Sequence, residues 1–408
     1  MQNQQSNKIF ILCCIALTVT SMTFAIRAGI LGELGSQYGL SANQLGWVNA
    51  MAFLGFPLAT MFGGILYNAM GAKKLITLAF VCHLLGLILT IMAGGFWGLL
   101  ISTFLIGFAN GSVEAGCNPL ITEIYEDNKT TMLNKFHVWF PGGIVIGALI
   151  SNGMTSAGIG WQVQVATIIV PTIIYGYMLL SSEFPVFDRT QHSTVDNFKH
   201  LITPLYIFLA VCMTLTATTE LGTQQWIQGI LGASGASPMI ILALMTGIMA
   251  VGRYYAGPII HRLNPAGVLL FSAIFASVGI LMMSQVSGNL VYVAAIIFAV
   301  GVCYFWPTML GCVSEYLPKT GALGLSIIGG VGMFAVSMWN PVIGTWIDEA
   351  TANAQAQNLD PTQVQIVAGQ TVLQNLLTFP VILIVAFIVL FIIVKKMNGQ
   401  RVAAATQN

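Results

Sequence analysis

Twelve stretches of this chain are long and apolar enough to cross a lipid bilayer as helices, and few folds accommodate such a pattern. A helix needs about 20 apolar residues to span the hydrocarbon core. Runs of that kind fall at roughly 9–33, 43–69, 74–94, 97–123, 132–155, 162–182, 204–231, 237–260, 266–286, 289–316, 321–347 and 368–394. Lipid offers no partner to a backbone N–H or C=O, so a crossing segment is a helix or a strand of a closed barrel. Barrel strands are about 10 residues long and alternate in polarity; these runs do neither. The reading is an all-α integral membrane protein of twelve transmembrane helices. Only 7% of the 408 residues are charged and 56% are hydrophobic, whereas a soluble domain carries about 25% charged residues. The first run is read as a retained span and not a cleaved leader. It is longer than a leader's apolar region, no A-x-A site follows, and similar runs come after it.

The loops set the expected orientation. Of the 14 Lys and Arg residues, Lys8, Lys73, Lys74, Lys129, Lys135, Arg189, Lys199, Arg262, Lys319, Lys395, Lys396 and Arg401 all fall at one side of this twelve-span arrangement. Cytoplasmic loops carry the excess of Lys and Arg, so both termini are expected in the cytoplasm, with the protein in a plasma (inner) membrane. The exceptions, Arg27 and Arg253, lie within apolar runs. A net charge of +1 without a basic cluster gives no footing for nucleic acid. The seven cysteines show no CxxC or zinc spacing and read as small buried hydrophobes. No metal or cofactor is implied, and a monomer is expected.

The charged stretch "SSEFPVFDRTQHSTVDNFKH" (181–200) divides the spans six and six. The expected organisation is an N-terminal bundle over 1–182, a cytoplasmic linker over 183–203 and a C-terminal bundle over 204–408. A polar stretch, "EATANAQAQNLDPTQVQ" (349–365), is expected as a solvated outer loop. The halves look like repeats. "GGILYNAMGAKKL" (63–75) and "GRYYAGPIIHRLN" (252–264) are both glycine-rich helix ends running into a short basic turn. Arg27 is as far from Gly64 as Glu220 is from Gly257. "NPLITEIY" (118–125) and "WPTMLGCVSEY" (306–316) each place a proline before an acidic, tyrosine-bearing helix end. Two pseudo-symmetric six-helix bundles are expected, as in carriers built from internal repeats.

With these features the sequence resembles the major facilitator superfamily. The resemblance rests on helix count, central loop, charge placement and the loop between spans two and three. In the family that loop reads approximately G-x-L-x-D-x-x-G-x-K/R-x-x, and here it stands as Gly64, Leu66, Asn68, Gly71, Lys73 and Lys74. Asn68 replaces the usual aspartate, and a degraded second copy keeps Arg253, Gly257 and Arg262. Spans four and five, "ANGSVEAGCNPLITEIY" (109–125) and "LNKFHVWFPGGIVIG" (133–147), are similar to the fucose:proton symporter group. That resemblance implies that Glu114, before Asn118-Pro119, is the proton-linked carboxylate. The group's span-one acid falls at Arg27 or Ala28, so an arginine occupies its neighbourhood.

Arg27, Glu114 and Glu220 sit well inside spans. A charge at the bilayer centre costs about 2.5–3.5 kcal/mol on insertion scales, which points to a wet cavity or to mutual pairing. Burial favours a neutral carboxyl and a nearby arginine favours the carboxylate, so Glu114 held between them can change protonation as water gains access. Glu114 and Glu220 are the proton-coupling candidates. Glu220 is related to Arg27 by the repeat, and the two are expected to approach the central axis from opposite halves and form or bridge the binding site. Arg27 is thus expected to have acidic partners opposite it. Gln224 and Gln228 follow Glu220 at one and two helical turns, whereas Gln225 is displaced by about 100°. Amide side chains on a cavity wall suit hydroxyl-rich solutes. Asn118, His137, Trp139, Trp306 and Asn340 complete the candidate binding set. The tryptophans read first as interface anchors, and His137 reads first as a hydrogen-bonded packing residue. Asn340, before Pro341, resembles a break in a helix facing a cavity. Asn68, Lys73, Lys74 and Arg253 are gating candidates, because a long basic side chain at a helix end can hold neighbouring ends together.

The functional expectation is a secondary transporter, coupling protons to symport of a small polar solute such as a sugar by alternating access. The alternative is an organic-anion carrier using Arg27, whose fork matches a carboxylate. Two glutamates against one arginine weigh toward neutral or zwitterionic solutes. A membrane receptor without transport, or an intramembrane enzyme, is the lesser alternative, since there is no phosphate loop, HExxH or GxSxG.

Overall fold

The computed structural model describes residues 2–125, 132, 135–185 and 199–405. Lys129, Arg189 and most of the expected linker lie outside the described residues, as do the side chains of Asn68 and Arg401. Eleven helices are long and apolar enough to cross a membrane, and a shorter apolar helix supplies the twelfth crossing. In chain order the spans are Gln5–Tyr38, Ala42–Gly63, Met70–Ile91, Phe96–Ile121, Lys135–Ser156, Trp161–Leu180, Pro204–Gln225, the short Pro238–Tyr254, Arg262–Met283, Leu290–Val313, Ser326–Gln355 and Pro361–Met397. They are called spans one to twelve below. The expected all-α, twelve-crossing architecture is the one observed. The polar 349–365 stretch differs from expectation. Spans eleven and twelve run as helices through most of it, leaving a connection of five residues, 356–360.

The repeat read from sequence has a conformational counterpart. Spans two and three are joined at Gly71 (φ 76°, ψ 163°), and spans eight and nine at Asn264 (φ 54°, ψ 165°). Gly71 and Asn264 are separated by the same number of positions as Arg27 and Glu220. This backbone region is nearly confined to glycine. Asn264 holds it while its Oδ1 accepts a hydrogen bond from Gly267 N at 3.0 Å, starting the next helix.

Twelve crossings bring both termini to one end. Hydrogen bonds join the halves at mid-depth and toward the opposite end. There Asp348 of span eleven accepts from the backbone N–H of Ala42 and of Asn43, each at 2.9 Å. Ser41 Oγ accepts from the next donor, Gln44 N, and Ser41 N donates to Gln44 Oε1 in return. The first N–H groups of span two, which no helix can satisfy internally, are therefore satisfied jointly by its own cap and by the other half. Asn43 Nδ2 donates to Pro341 O and Thr345 Oγ1. Ser237 Oγ donates to Asn152 Oδ1, and Ser337 Oγ to Ala50 O. Glycine makes the approach possible: a Cβ on Gly46 would lie 2.5 Å from Asn340 O, and one on Gly344 would run into Ala42 O. The halves are tied together at the end away from the termini.

Candidate functional site

Arg27 lies at mid-depth on span one, 8% exposed. Its Nε donates to Asn49 Oδ1 and Gln225 Oε1, both at 3.0 Å, and Nη2 donates to Gln225 Oε1 at 2.7 Å. Its guanidinium carbon sits 5.1 Å from the Phe24 ring centroid and 5.7 Å from that of Phe53, within cation–π reach. Gln225 Nε2 in turn donates to Phe24 O. The expected acidic partner is absent: among the described residues Arg27 has no ion pair. Glu220 Oε1 is instead 3.1 Å from Arg253 Nη2, and Arg253 Nε donates to Cys303 O. Arg253 thus lies against span seven within the C-terminal half, and the expected bridge from Arg27 to Glu220 does not form.

The cause is local. Thr218–Gly222 form a wide i→i+5 turn, and the helix breaks again at Trp226 (φ −100°, ψ 11°). Each extra residue in a turn rotates the downstream segment relative to regular α-helix. Gln225, expected off the active face, therefore meets Arg27. Gln224 is buried with Nε2 on Met249 Sδ, and Gln228 lies past the break. Asn340 is fully buried within a continuous helix, accepting from Trp226 Nε1 at 3.0 Å and donating to Val336 O at 2.8 Å. In this conformation it ties spans seven and eleven together.

Two donor groups beside Arg27's contacts lack acceptors. The bond from Arg27 Nε to Asn49 Oδ1 fixes the orientation of the Asn49 amide, and the other end, Nδ2, is buried without a partner. Arg27 Nη1 has no hydrogen bond among the described residues. A buried unsatisfied donor costs about 1–3 kcal/mol. A cavity of about 30 Å³ adjoins Arg27, with Thr23, Thr90 and Thr103 in its lining. That is room for one or two waters. Between the halves lies an apolar layer separate from the main core: Phe24, Phe53 and Phe56 from one half, Leu221, Met333 and Val336 from the other. Phe140 and Trp306 pack against it.

A second cluster stands nearer the termini. Asn118 lies one helical turn beyond Glu114, and its Nδ2 donates to Glu114 Oε2 at 2.6 Å. His137 Nε2 is 3.1 Å from Asn118 Oδ1 and 3.9 Å from Glu114 Oε2. The His137 side chain is 45% exposed and that of Glu114 13%; Trp139 is 44% exposed. The Glu114–Asn118 pair of the sequence motif and His137 thus form one linked group, two titratable residues with one amide between them. Among the gating candidates, Lys73 Nζ donates to Ser182 O at 3.0 Å and lies 5.6 Å from the Phe184 ring centroid, and Lys74 is exposed.

Sequence reasoning missed Asn49, Gln225, Asp348 and a buried chain in the N-terminal half. His83 Nδ1 is 2.9 Å from Tyr175 Oη and Nε2 is 2.8 Å from Asn110 Oδ1, while Asn110 Nδ2 donates to Thr23 Oγ1. Asn49 did carry a signal, as the one amide in "GWVNAMAFLGF" (46–56).

The family described as the Major Facilitator Superfamily matches residues 12–340. A myo-inositol transporter of Candida albicans is 22% identical over 176 residues, 41% of this chain and 32% of that one. The chain therefore matches about a third of that relative's length. A 3-(3-hydroxy-phenyl)propionate transporter of Escherichia coli is 23% identical over 283 residues, 65% of this chain and 68% of that one. Among solved structures, a mutant of the nucleoside transporter NupG superposes with a TM-score of 0.77 at 14% identity, covering 95% of this chain and all of that one. That likeness speaks to fold alone.

Proposed function

The chain belongs to the Major Facilitator Superfamily, and on that premise we propose that it is a proton-coupled symporter of a small polar solute, working by alternating access between its two six-span halves. It is a multi-pass membrane protein, a transporter and not an enzyme. Its charge asymmetry supports a plasma (inner) membrane with both termini cytoplasmic. The observation that carries the proposal is the one-sided closure. The halves are bonded from mid-depth to the end away from the termini, while the Glu114–Asn118–His137 group stands partly exposed toward the other end. A carrier that exposes its site alternately must be shut at one end in each state.

In this reading Glu114 carries the coupled proton, Asn118 orients its carboxyl and His137 exchanges protons with water. That assignment also draws on the resemblance of residues 109–125 to the fucose:proton symporter group. Glu220, whose Oε2 is buried without a partner, is a second place for a proton. Two solute classes are in view, a sugar or polyol and an organic anion. The relatives' names include one of each kind, an inositol and a phenylpropionate. The absence of an acid beside Arg27 among the described residues favours the anion.

The test is reconstitution of the purified protein in liposomes enclosing a pH-sensitive dye, with D-xylose, myo-inositol and benzoate offered outside. A transported solute drives proton entry beyond that seen in protein-free liposomes, which benzoic acid crosses unaided. Glu114→Gln lowers proton entry at least tenfold and retains exchange of labelled solute. Equal proton entry in the variant would remove Glu114 from the coupling role.

A further inference from the structure

We infer that the solute is a monoanionic acid with an apolar body, its carboxylate received by Arg27 and Asn49 and its body by the aromatic layer between the halves; the inference rests on the transporter reading above. Charge is the first consideration. Arg253 takes up Glu220, so the count of two glutamates against Arg27 that weighed toward neutral solutes no longer holds. Glu114 stands in the other cluster, bonded by Asn118 and near His137, so Arg27 is left at mid-depth with no carboxylate beside it among the described residues. The groups around it are neutral amides and rings, which hold a guanidinium in place without neutralising it.

Donor chemistry points the same way. Arg27 Nη1 and Asn49 Nδ2 both have N–H groups to give, and Asn49 Nδ2 is buried without an acceptor. Donors that lack acceptors are complementary to an acceptor-only group, and a carboxylate is one. A sugar brings hydroxyls that are themselves donors, and these would find few acceptors. The Asn49 and Gln225 side-chain oxygens are already engaged by Arg27 itself.

The body of the solute is set by the layer beyond. Phe24, Phe53, Phe56, Leu221, Met333 and Val336 offer apolar surface from both halves. Hydroxyls against such walls lose their water without replacement, whereas a ring or short alkyl chain does not. Because Phe24 also stacks under Arg27, head and body sites are continuous. Arg27 meets Gln225 across the halves, so a carboxylate that displaces the amide loosens a bond between them, which links occupancy to opening.

The experiment measures thermal unfolding and tryptophan fluorescence of the full chain in detergent against matched probes. These are benzoate and cyclohexanecarboxylate, their amides benzamide and cyclohexanecarboxamide, and D-xylose. The acids are expected to bind saturably and at least tenfold more tightly than the amides, with no response to the sugar. Gln225→Glu gives Arg27 an internal carboxylate and is expected to weaken acid binding at least tenfold while the protein stays folded. Asn49→Asp makes the same challenge from within the N-terminal half should the first variant fail to fold. Amides or sugar binding as well as the acids, or acid affinity unchanged in a folded carboxylate variant, overturns the inference. If neutral solutes accumulate in liposomes and acids neither bind nor compete, the solute class fails and the transporter reading stands. If acids bind but labelled benzoate never accumulates, the site stands and the transporter reading fails.

Discussion

At the scale of single residues, the membrane interior makes each charge answerable for its company, and the two arginines are kept in different ways. Arg253 is held by a carboxylate. Arg27 is held by amide oxygens and ring faces. Removing one member of a buried pair strands the other and costs about 3–5 kcal/mol in fully buried cases. Glu220→Gln is therefore expected to lower thermal stability strongly. Adding Arg253→Gln to it should recover part of the loss, a coupling that a double-mutant cycle reads directly. Independent, additive losses would mean that the 3.1 Å contact contributes little. The sequence made all three intramembrane charges visible, because charge inside an apolar run stands out. It did not show which partners they take. Residues on spans one, two, seven and eight meet only after the bundle closes, and no spacing encodes that. The His83–Asn110–Thr23 chain escaped notice for the same reason, since its members come from three spans.

At the scale of elements, helix existence followed from length and hydropathy, and span boundaries came within a few residues for most spans. Side-chain direction was less legible. Regular 3.6-residue periodicity put Gln224 and Gln228 on the face of Glu220, but the wide turn at Thr218–Gly222 and the break at Trp226 re-aim the helix. Nothing in "TATTELGTQQW" (216–226) announces a turn of that kind. The inter-span turns were legible, because a glycine-rich basic motif appears in both halves. Gly71 adopts a backbone that a side chain resists, at about 1–3 kcal/mol. Gly71→Ala should lower the unfolding temperature by a few degrees. Gly153→Ala, in a helix with open space around the added carbon, should lower it by less or raise it. Equal effects would show that the Gly71 backbone is not the constraint.

For the whole molecule, closure at one end is concentrated in a few contacts between spans two and eleven. A carboxylate at a helix N-terminus contributes about 0.3–1 kcal/mol, more when partly buried. Asp348→Asn should therefore shift the ratio of closed to open forms about fivefold, the factor to which 1 kcal/mol corresponds. Gly46→Val should act more strongly by pressing a side chain against Asn340 and Pro341. Spin labels at Ser36 and Gln355, exposed on opposite halves, would report longer distances in both variants. Unchanged distances would mean that these contacts do not hold the end shut.

The wide turn in span seven has a consequence for how such a protein diversifies. The extra residue of that turn already carries Gln225 into the direction that Gln224 would take in a regular helix. Loss of one codon there, other than that of Glu220, would restore the regular helix and leave the same amide facing the partner bundle. Helix length can thus drift at this point without rewriting what the protein recognises, which changes only by substitution.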